Sequence, residues 1–477
     1  MMWFLLTLTA IPLIVYFYLI KNHNYWKIRN VAYAKPVFFF GNILDIIKRK
    51  KHTSEMLKTL YESTTAPYLG FFMFDQPYLL IRDLDLIKNI LITDFDNFSD
   101  RPAVTSKNDP VGSKLLFLLK GKAWKDLRKS SNSLFTISKI KRLIPLINKI
   151  GDDLVEHIEK NLDQDVVDGR LVTLNFGIDM ISSCVFGIEV DALKGSESIF
   201  GCTNCVVFLF SKVVNLLNAT FLDKTASNTL SNIFNRVCEE RSVSGIKRSD
   251  FVDFLNIATM NGDKLDDEYK AGFAIQMLLA GYETTGTTTS FLLYELCHHI
   301  DVQKRLRIEV ENVLKNNNNN ITYEAINQMT YMGMVINEIV RKYPVLGFLD
   351  RLPLNDYRVP GTNFTIEKGI PVVIPVFALH RDGRYFPEPE KFDPERFSQA
   401  NKFSIPTYAY MPFGEGLRYC IGNQLALLTI KIFMIKILSN FNIVCCKDTP
   451  KCMKFDPSAI LLCPQNGELK IKFTKIS

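Results

Sequence analysis

Few folds can accommodate the run FAIQMLLAGYETTGTTTSFLLYEL, Phe273 to Leu296. It is apolar on nearly every side and long for a helix, so it reads as a helix buried on all faces, which requires a domain large enough to surround it. Its centre is unlike ordinary buried helix. Gly281, Thr284, Thr285, Gly286, Thr287, Thr288 and Thr289 are poor helix formers, and Glu283 sets a charge among them. Two explanations stand. The threonine hydroxyls bond back to carbonyls one turn earlier and bend the helix. Alternatively, Ala280 and Gly281 let a flat group approach, while Glu283 and Thr284 place an acid and a hydroxyl beside it.

The chain has room for such a helix. It is 477 residues long, 47% hydrophobic and 22% charged, which fits a large core and excludes a disordered protein. Net charge is 57 − 50 = +7, compatible with an acidic partner or an anionic membrane surface and well short of a nucleic-acid binder. Tyr68–Met73 and Tyr78–Ile81 read as strands, and Leu84 to about Lys315 is mostly helical in spacing. Asn316–Asn320 reads as a solvated loop, and a helix is predicted over Tyr323–Lys342, before Pro344. Pro371–Val376 suggests a buried strand, and Asn466-Gly467 a hairpin between ILLC and LKIKF. No linker divides residues 36–477, so one large domain is expected, mainly α with small β-sheets.

Met1 to Ile20 carries no charge and matches the ~20 residues that cross a bilayer. Lys21, Lys27 and Arg29 follow, with Trp26 at interfacial depth, so an uncleaved anchor over 1–20 and a linker over 21–35 are expected, the remainder staying cytosolic. A cleaved signal peptide is the alternative. It would have a basic start and a small-residue cleavage site, and neither is present.

The ten cysteines are scattered rather than spaced as a disulfide framework, which favours a reducing compartment. Cys202-x-x-Cys205 is half a zinc site without a second half. Cys420, in FGEGLRYCIG, is different. It lies just before the helical run NQLALLTIKIFMIKIL, where free N–H groups and the helix dipole favour a thiolate. Such a cysteine is a nucleophile or a metal ligand. No histidine lies near in sequence to act as base, and an iron porphyrin would also need cations for its two propionates. Trp124 and Arg128, four apart on one helix face, can grip a carboxylate between an indole donor and a guanidinium, or form an ordinary half-buried pair. Glu338 and Arg341 are either an exposed pair worth ~0–1 kcal/mol or, among Val335, Ile336, Ile339 and Val340, a buried one needing further partners, which Arg396 could supply.

Together these residues resemble the cytochrome P-450 superfamily of haem-thiolate monooxygenases. The F-x-x-G-x-R-x-C-x-G signature is met by Phe413, Gly416, Arg418, Cys420 and Gly422, and A-G-x-[DE]-T-T by Ala280, Gly281, Glu283, Thr284 and Thr285. Glu338 and Arg341 match E-x-x-R, Pro394–Phe397 matches P-E-R-F, and Trp124 with Arg128 matches the tryptophan–arginine pair. The likeness covers residues 30–477 and is closest to the microsomal clan of arthropod detoxifying and vertebrate drug-oxidising enzymes.

The resemblance implies the cytochrome P-450 fold, a single haem domain behind an N-terminal anchor in the endoplasmic reticulum membrane. It implies haem b bound through Cys420 as axial thiolate. Trp124, Arg128, Arg351 and Arg418 would hold the propionates, with Phe413 beside the cofactor. Thr284 and Glu283 would deliver protons during dioxygen activation, and Glu338, Arg341 and Arg396 would form a structural triad. Phe117, Leu279, Ala280 and Leu346 would line the pocket for a lipophilic substrate, a xenobiotic or an endogenous lipid or hormone. NADPH-cytochrome P-450 reductase would dock on Lys122, Lys125, Lys129, Lys139, Lys141 and Arg142, unless these form an ordinary solvated face, and cytochrome b5 is a further partner the resemblance implies. The chain departs from the clan in three places: the hinge is reduced to AYAKP, Leu417 replaces a common proline, and Phe200–Phe273 is short. Two other readings remain, a reductase-independent hydroperoxide isomerase or dehydratase and a non-catalytic membrane haem-binding protein.

Overall fold

Apolar residues at three- and four-residue spacing give the helices that frame the interior. These are α1 (Gly121–Asn132), α2 (Ile137–Lys160), α3 (Gly169–Ile181), α4 (Asp267–His298), α5 (Thr330–Lys342) and α6 (Asn423–Asn440). The computed structural model describes residues 20–106, 108–109, 111–194, 220, 223–248, 250–257, 259–260 and 263–476. The expected anchor falls almost wholly outside the described residues, as do Cys202 and Cys205. Among the described residues, no helix is long and apolar enough to cross a membrane.

The buried run at the heart of the sequence becomes α4. Asp266 starts it by accepting a hydrogen bond from the Tyr269 amide at 2.8 Å, and Asp267 and Glu268 place negative charge on its first turn. It packs closely on α3: a Cβ at Gly281 would lie 2.6 Å from the Ile181 Cδ1, so only glycine permits this approach.

The strands are β1 (Tyr68–Met73), β2 (Gln76–Ile81), β3 (Val167–Asp168), β4 (Leu349–Arg351), β5 (Val372–Ile374), β6 (Phe441–Val444) and β7 (Lys470–Lys475). The larger sheet runs β1-β2-β5-β4. Tyr68 lies opposite Ile81 in an antiparallel pair, Leu79 beside Val372 in a parallel one, and Arg351 opposite Val372 in an antiparallel one. A second sheet runs β6-β7-β3. One apolar core surrounds α4, and another fills the space around the larger sheet.

Three expectations change. Residues 21–35 are not a linker, and Trp26 is not at an interface. Trp26 is fully buried, donates Nε1–H to the Phe71 carbonyl at 3.2 Å, and lies flat over Gly70, where a Cβ would come within 2.4 Å of the indole. The Tyr323–Lys342 helix is broken at Met329, because the Glu309 carboxylate takes the Tyr331 and Met332 amides at 2.7 and 2.8 Å and caps a new start. Asn466 and Gly467 do turn, at φ 59° and 70°. The segment before them is no strand, however. The Leu462 amide bonds to the Val345 carbonyl, and β7 pairs with β6 and β3 instead.

Candidate active site

The cysteine loop is shaped by its own backbone. The Gly414 amide donates to the Met411 carbonyl at 3.1 Å, Tyr419 to Gly416 at 2.9 Å, and Cys420 to Phe413 at 3.0 Å. Gly416 holds φ 73°, and a Cβ there would sit 2.1 Å from the Leu91 carbonyl oxygen, so its identity is set twice over. Leu417 is 64% exposed, a replacement the turn accommodates without packing. From α1, Arg128 reaches this loop and donates to the Tyr419 carbonyl at 2.6 Å.

Cys420 is exposed, yet protein lies close enough around it that burial pushes its thiol pKa up. The Gly422 amide, the Arg128 charge and the Asn423 amide pull the other way. The helix start was expected to favour a thiolate. Its amides do contribute, but desolvation outweighs them, and a metal ion at the sulfur is what would complete the deprotonation.

The second wall is α4. Between Ala271 and Cys297 its residues are buried except Gln276, Leu279, Ala280, Gly281, Glu283 and Thr284. Gln276, Leu279, Ala280, Glu283 and Thr284 recur at three- and four-residue spacing and so form one open stripe on an otherwise enclosed helix. The threonine hydroxyls do bond back one turn. Thr284 donates to the Ala280 carbonyl, Thr288 to Thr284 at 2.9 Å and Thr289 to Thr285 at 2.7 Å. Ala280 is exposed in mid-helix, whereas Gly281, expected beside it to admit a flat group, faces α3. Glu283 has Arg170 4.0 Å away. Burial raises its carboxyl pKa, and Arg170 offsets only part of this.

Residues 117–120 tie the two walls together. The Phe117 amide donates to the Gln276 Oε1 at 2.9 Å, and Arg418 donates to the Leu119 carbonyl at 3.0 Å and to the Ser99 carbonyl at 2.6 Å. Arg418 lies 4.1 Å over the buried Trp124 ring. Arg351, buried on β4, and Arg101, 4.3 Å over the Phe117 ring, complete a cluster of three guanidiniums. Arg101 has Asp350 at 3.3 Å, and Arg418 has Asp100 at 4.0 Å. Burial and then mutual repulsion press Arg418 down to about 8 and Arg351 to about 9. The buried Nε atoms of Arg101 and Arg351 have no acceptor.

Sequence reasoning did not single out Arg101. Its only signal is a place in SDRP ahead of the tryptophan helix, which carries no spacing rule. Leu346, expected at the pocket, is partly buried against the sheet-side core. Of the basic residues expected to form a docking face, Lys122 pairs with Asp126, Lys125 with Asp96 and Lys141 with Glu324, so half of that charge is matched locally.

Behind the loop lies the triad. Glu338 and Arg341 are fully buried and bidentate, at 2.6 and 2.8 Å. Arg341 also donates to the His380 and Pro389 carbonyls, both at 2.8 Å. Arg396 approaches Glu338 at 3.4 Å and donates to the carbonyls of Pro387 and Glu388. The pair thus has the extra partners a buried ion pair needs. His380, unremarked in the sequence, links triad to loop: Nδ1 meets the Arg341 carbonyl at 3.1 Å, and Nε2 accepts the Met411 amide at 2.9 Å.

An exposed sulfur, an open helix stripe tied to its loop through residues 117–120, and surplus guanidinium donors fit a flat, iron-bearing group with two carboxylates. Cys420 would ligate the iron; Trp124, Arg128, Arg351, Arg418 and Arg101 would hold the carboxylates.

Comparison with known proteins agrees. The family model for cytochrome P450 matches residues 32–471. The chain is 38% identical to cytochrome P450 6j1 of Blattella germanica, over 96% of this chain and 95% of that protein. It is 35% identical to cytochrome P450 6k1 of the same species (99% and 97%) and 32% identical to cytochrome P450 6B1 of Papilio polyxenes (98% of each). The chain therefore belongs to the cytochrome P450 family, haem-thiolate monooxygenases that take electrons from a redox partner.

Proposed function

We propose that this chain oxidises lipophilic molecules with NADPH-derived electrons passed on by a flavoprotein reductase, at the cytosolic face of the endoplasmic reticulum membrane. The open stripe of α4 carries the reading. It sets apolar Leu279 and Ala280 beside polar Glu283 and Thr284, so a greasy molecule and a proton path meet on one helix face. Haem, when bound, supplies the one-electron and dioxygen chemistry. Phe117, Leu279 and Ala280 would exclude water and orient the substrate. Glu283, its pKa raised by burial, holds a proton more readily than a free carboxylate does, and the Thr284 hydroxyl, bonded to the Ala280 carbonyl, is one helix position away to pass it on.

The test is reconstitution with reductase, NADPH and isotope-labelled dioxygen over a panel of lipophilic compounds. One labelled atom should enter product, and Thr284→Ala should lower product per NADPH about a hundredfold, the low end of the usual range for a proton-transfer group. Turnover of hydroperoxides without NADPH would favour the isomerase reading. NADPH consumption with no product across the panel would favour a non-catalytic protein.

A further inference from the structure

A second group of soft donors sits about 20 Å along α4 from Thr284, taking 1.5 Å of rise per residue. Cys297 and His298 end α4, and Cys445 follows β6. Their ligand atoms all lie within 4.8 Å of one another. The Cys445 Sγ is 3.2 Å from the Cys297 Sγ and 3.3 Å from the His298 Nδ1. The other ring nitrogen, Nε2, is 3.1 Å from the Pro450 carbonyl, and the ring lies edge-on to Tyr294 at 4.7 Å. A carbonyl taking the Nε2 proton fixes the tautomer that leaves the Nδ1 lone pair facing the sulfurs. Metal-bound histidines are usually held in this way.

From this geometry we infer that Cys297, His298 and Cys445 form a binding site for a thiophilic divalent cation, zinc by preference, distinct from the haem site. Two thiolates and an imidazole are the donors zinc takes, with solvent at the fourth position, since His298 is exposed. In a tetrahedral zinc site the sulfurs would stand about 3.8 Å apart and sulfur and nitrogen about 3.6 Å apart, so the Cys297–Cys445 separation of 3.2 Å opens by about 0.6 Å and the Cys445–His298 separation of 3.3 Å by about 0.3 Å. Binding replaces the two thiol protons, which are released to water. The ion clips the end of α4, the helix that carries Thr284, to the strand following α6, the helix that starts beside Cys420. The histidine distinguishes this site from a simple cysteine pair, for which a disulfide would be the expected chemistry.

The test uses the full-length, haem-loaded protein, stripped with a chelator and kept reduced. It is equilibrated with zinc alone, and bound metal is counted per chain. Wild type is expected to hold one zinc more than Cys445→Ser and His298→Ala, while Cys452→Ser, at an exposed cysteine outside the cluster, keeps it. Loss of an outer partner of a ligand typically costs 10–100-fold, so loss of a ligand should weaken zinc by about a hundredfold or more. Haem content, read by absorbance, should stay at the wild-type level in all variants, which separates loss of the site from misfolding. Equal zinc in wild type and both ligand variants overturns the inference. So does a Cys297–Cys445 disulfide that forms in air whether or not zinc is present.

Discussion

Gly416 is constrained by backbone and by space, and only the second constraint cannot relax. A left-handed φ costs an alanine about 1–2 kcal/mol, but its Cβ would also meet the Leu91 carbonyl oxygen at 2.1 Å, an atom held by the main chain. Gly416→Ala is therefore expected to displace the cysteine loop, with the reduced, carbon monoxide-bound Soret band losing its thiolate-type red shift although the chain still folds. Glu338 is constrained differently. Arg341→Ala would leave its carboxylate buried and without its bidentate partner, a loss of about 3–5 kcal/mol, readable as a lower denaturant midpoint. Arg341→Lys should recover little, because a point charge cannot make the two parallel bonds.

At the scale of elements, α3 and α4 meet so closely that their glycines decide the crossing. Gly281→Ala pits a gain of about 1 kcal/mol in helix propensity against an overpacking cost of about 1–3 kcal/mol, the clash being with the flexible end of Ile181. The single variant should be less stable, and adding Ile181→Val should return most of the loss, as a double-mutant cycle in thermal unfolding would show. Much of this element was legible in advance: the buried helix, its weak centre, β1 and the cysteine before α6 follow from local pattern. What local pattern does not hold is the far partner. Met329 breaks a helix because Glu309 caps the next one, β7 chooses β6 across the chain, and Gly281 faces Ile181 rather than a ligand. Arg101 and His380 escaped notice for the same reason, since each matters through groups far away in sequence.

Across the whole molecule, two buried histidines weaken the fold as the pH falls. Burial lowers His380 to about 3 and His52, which caps the Thr53–Glu62 helix, to about 4. In the unfolded chain both titrate near 6.5, so between those values the unfolded state binds the extra protons. The stability they contribute is complete above about pH 6.5 and is lost progressively below it. Protonating His380 at Nε2 would also remove the acceptor for the Met411 amide. The denaturant midpoint should fall clearly from pH 7.5 to pH 5, and His380→Gln should start lower and fall less. Trp26 makes a second prediction at this scale. Trp26→Ala should cost about 3–5 kcal/mol, the usual range for a large buried aromatic, readable as a lower denaturant midpoint.

The cluster of Arg101, Arg351 and Arg418 has a consequence for the life of the protein in a cell. Three like charges gathered at one place, two of them with a donor left over and only Asp350 and Asp100 beside them, would be steadied by an anionic guest. A guest at a thousand times its dissociation constant adds about 4 kcal/mol to the folded state, a large part of what holds a typical domain together. Cofactor supply would then act as a quality gate, sparing chains that capture haem and leaving the others to proteases, so that abundance follows haem synthesis even at constant translation.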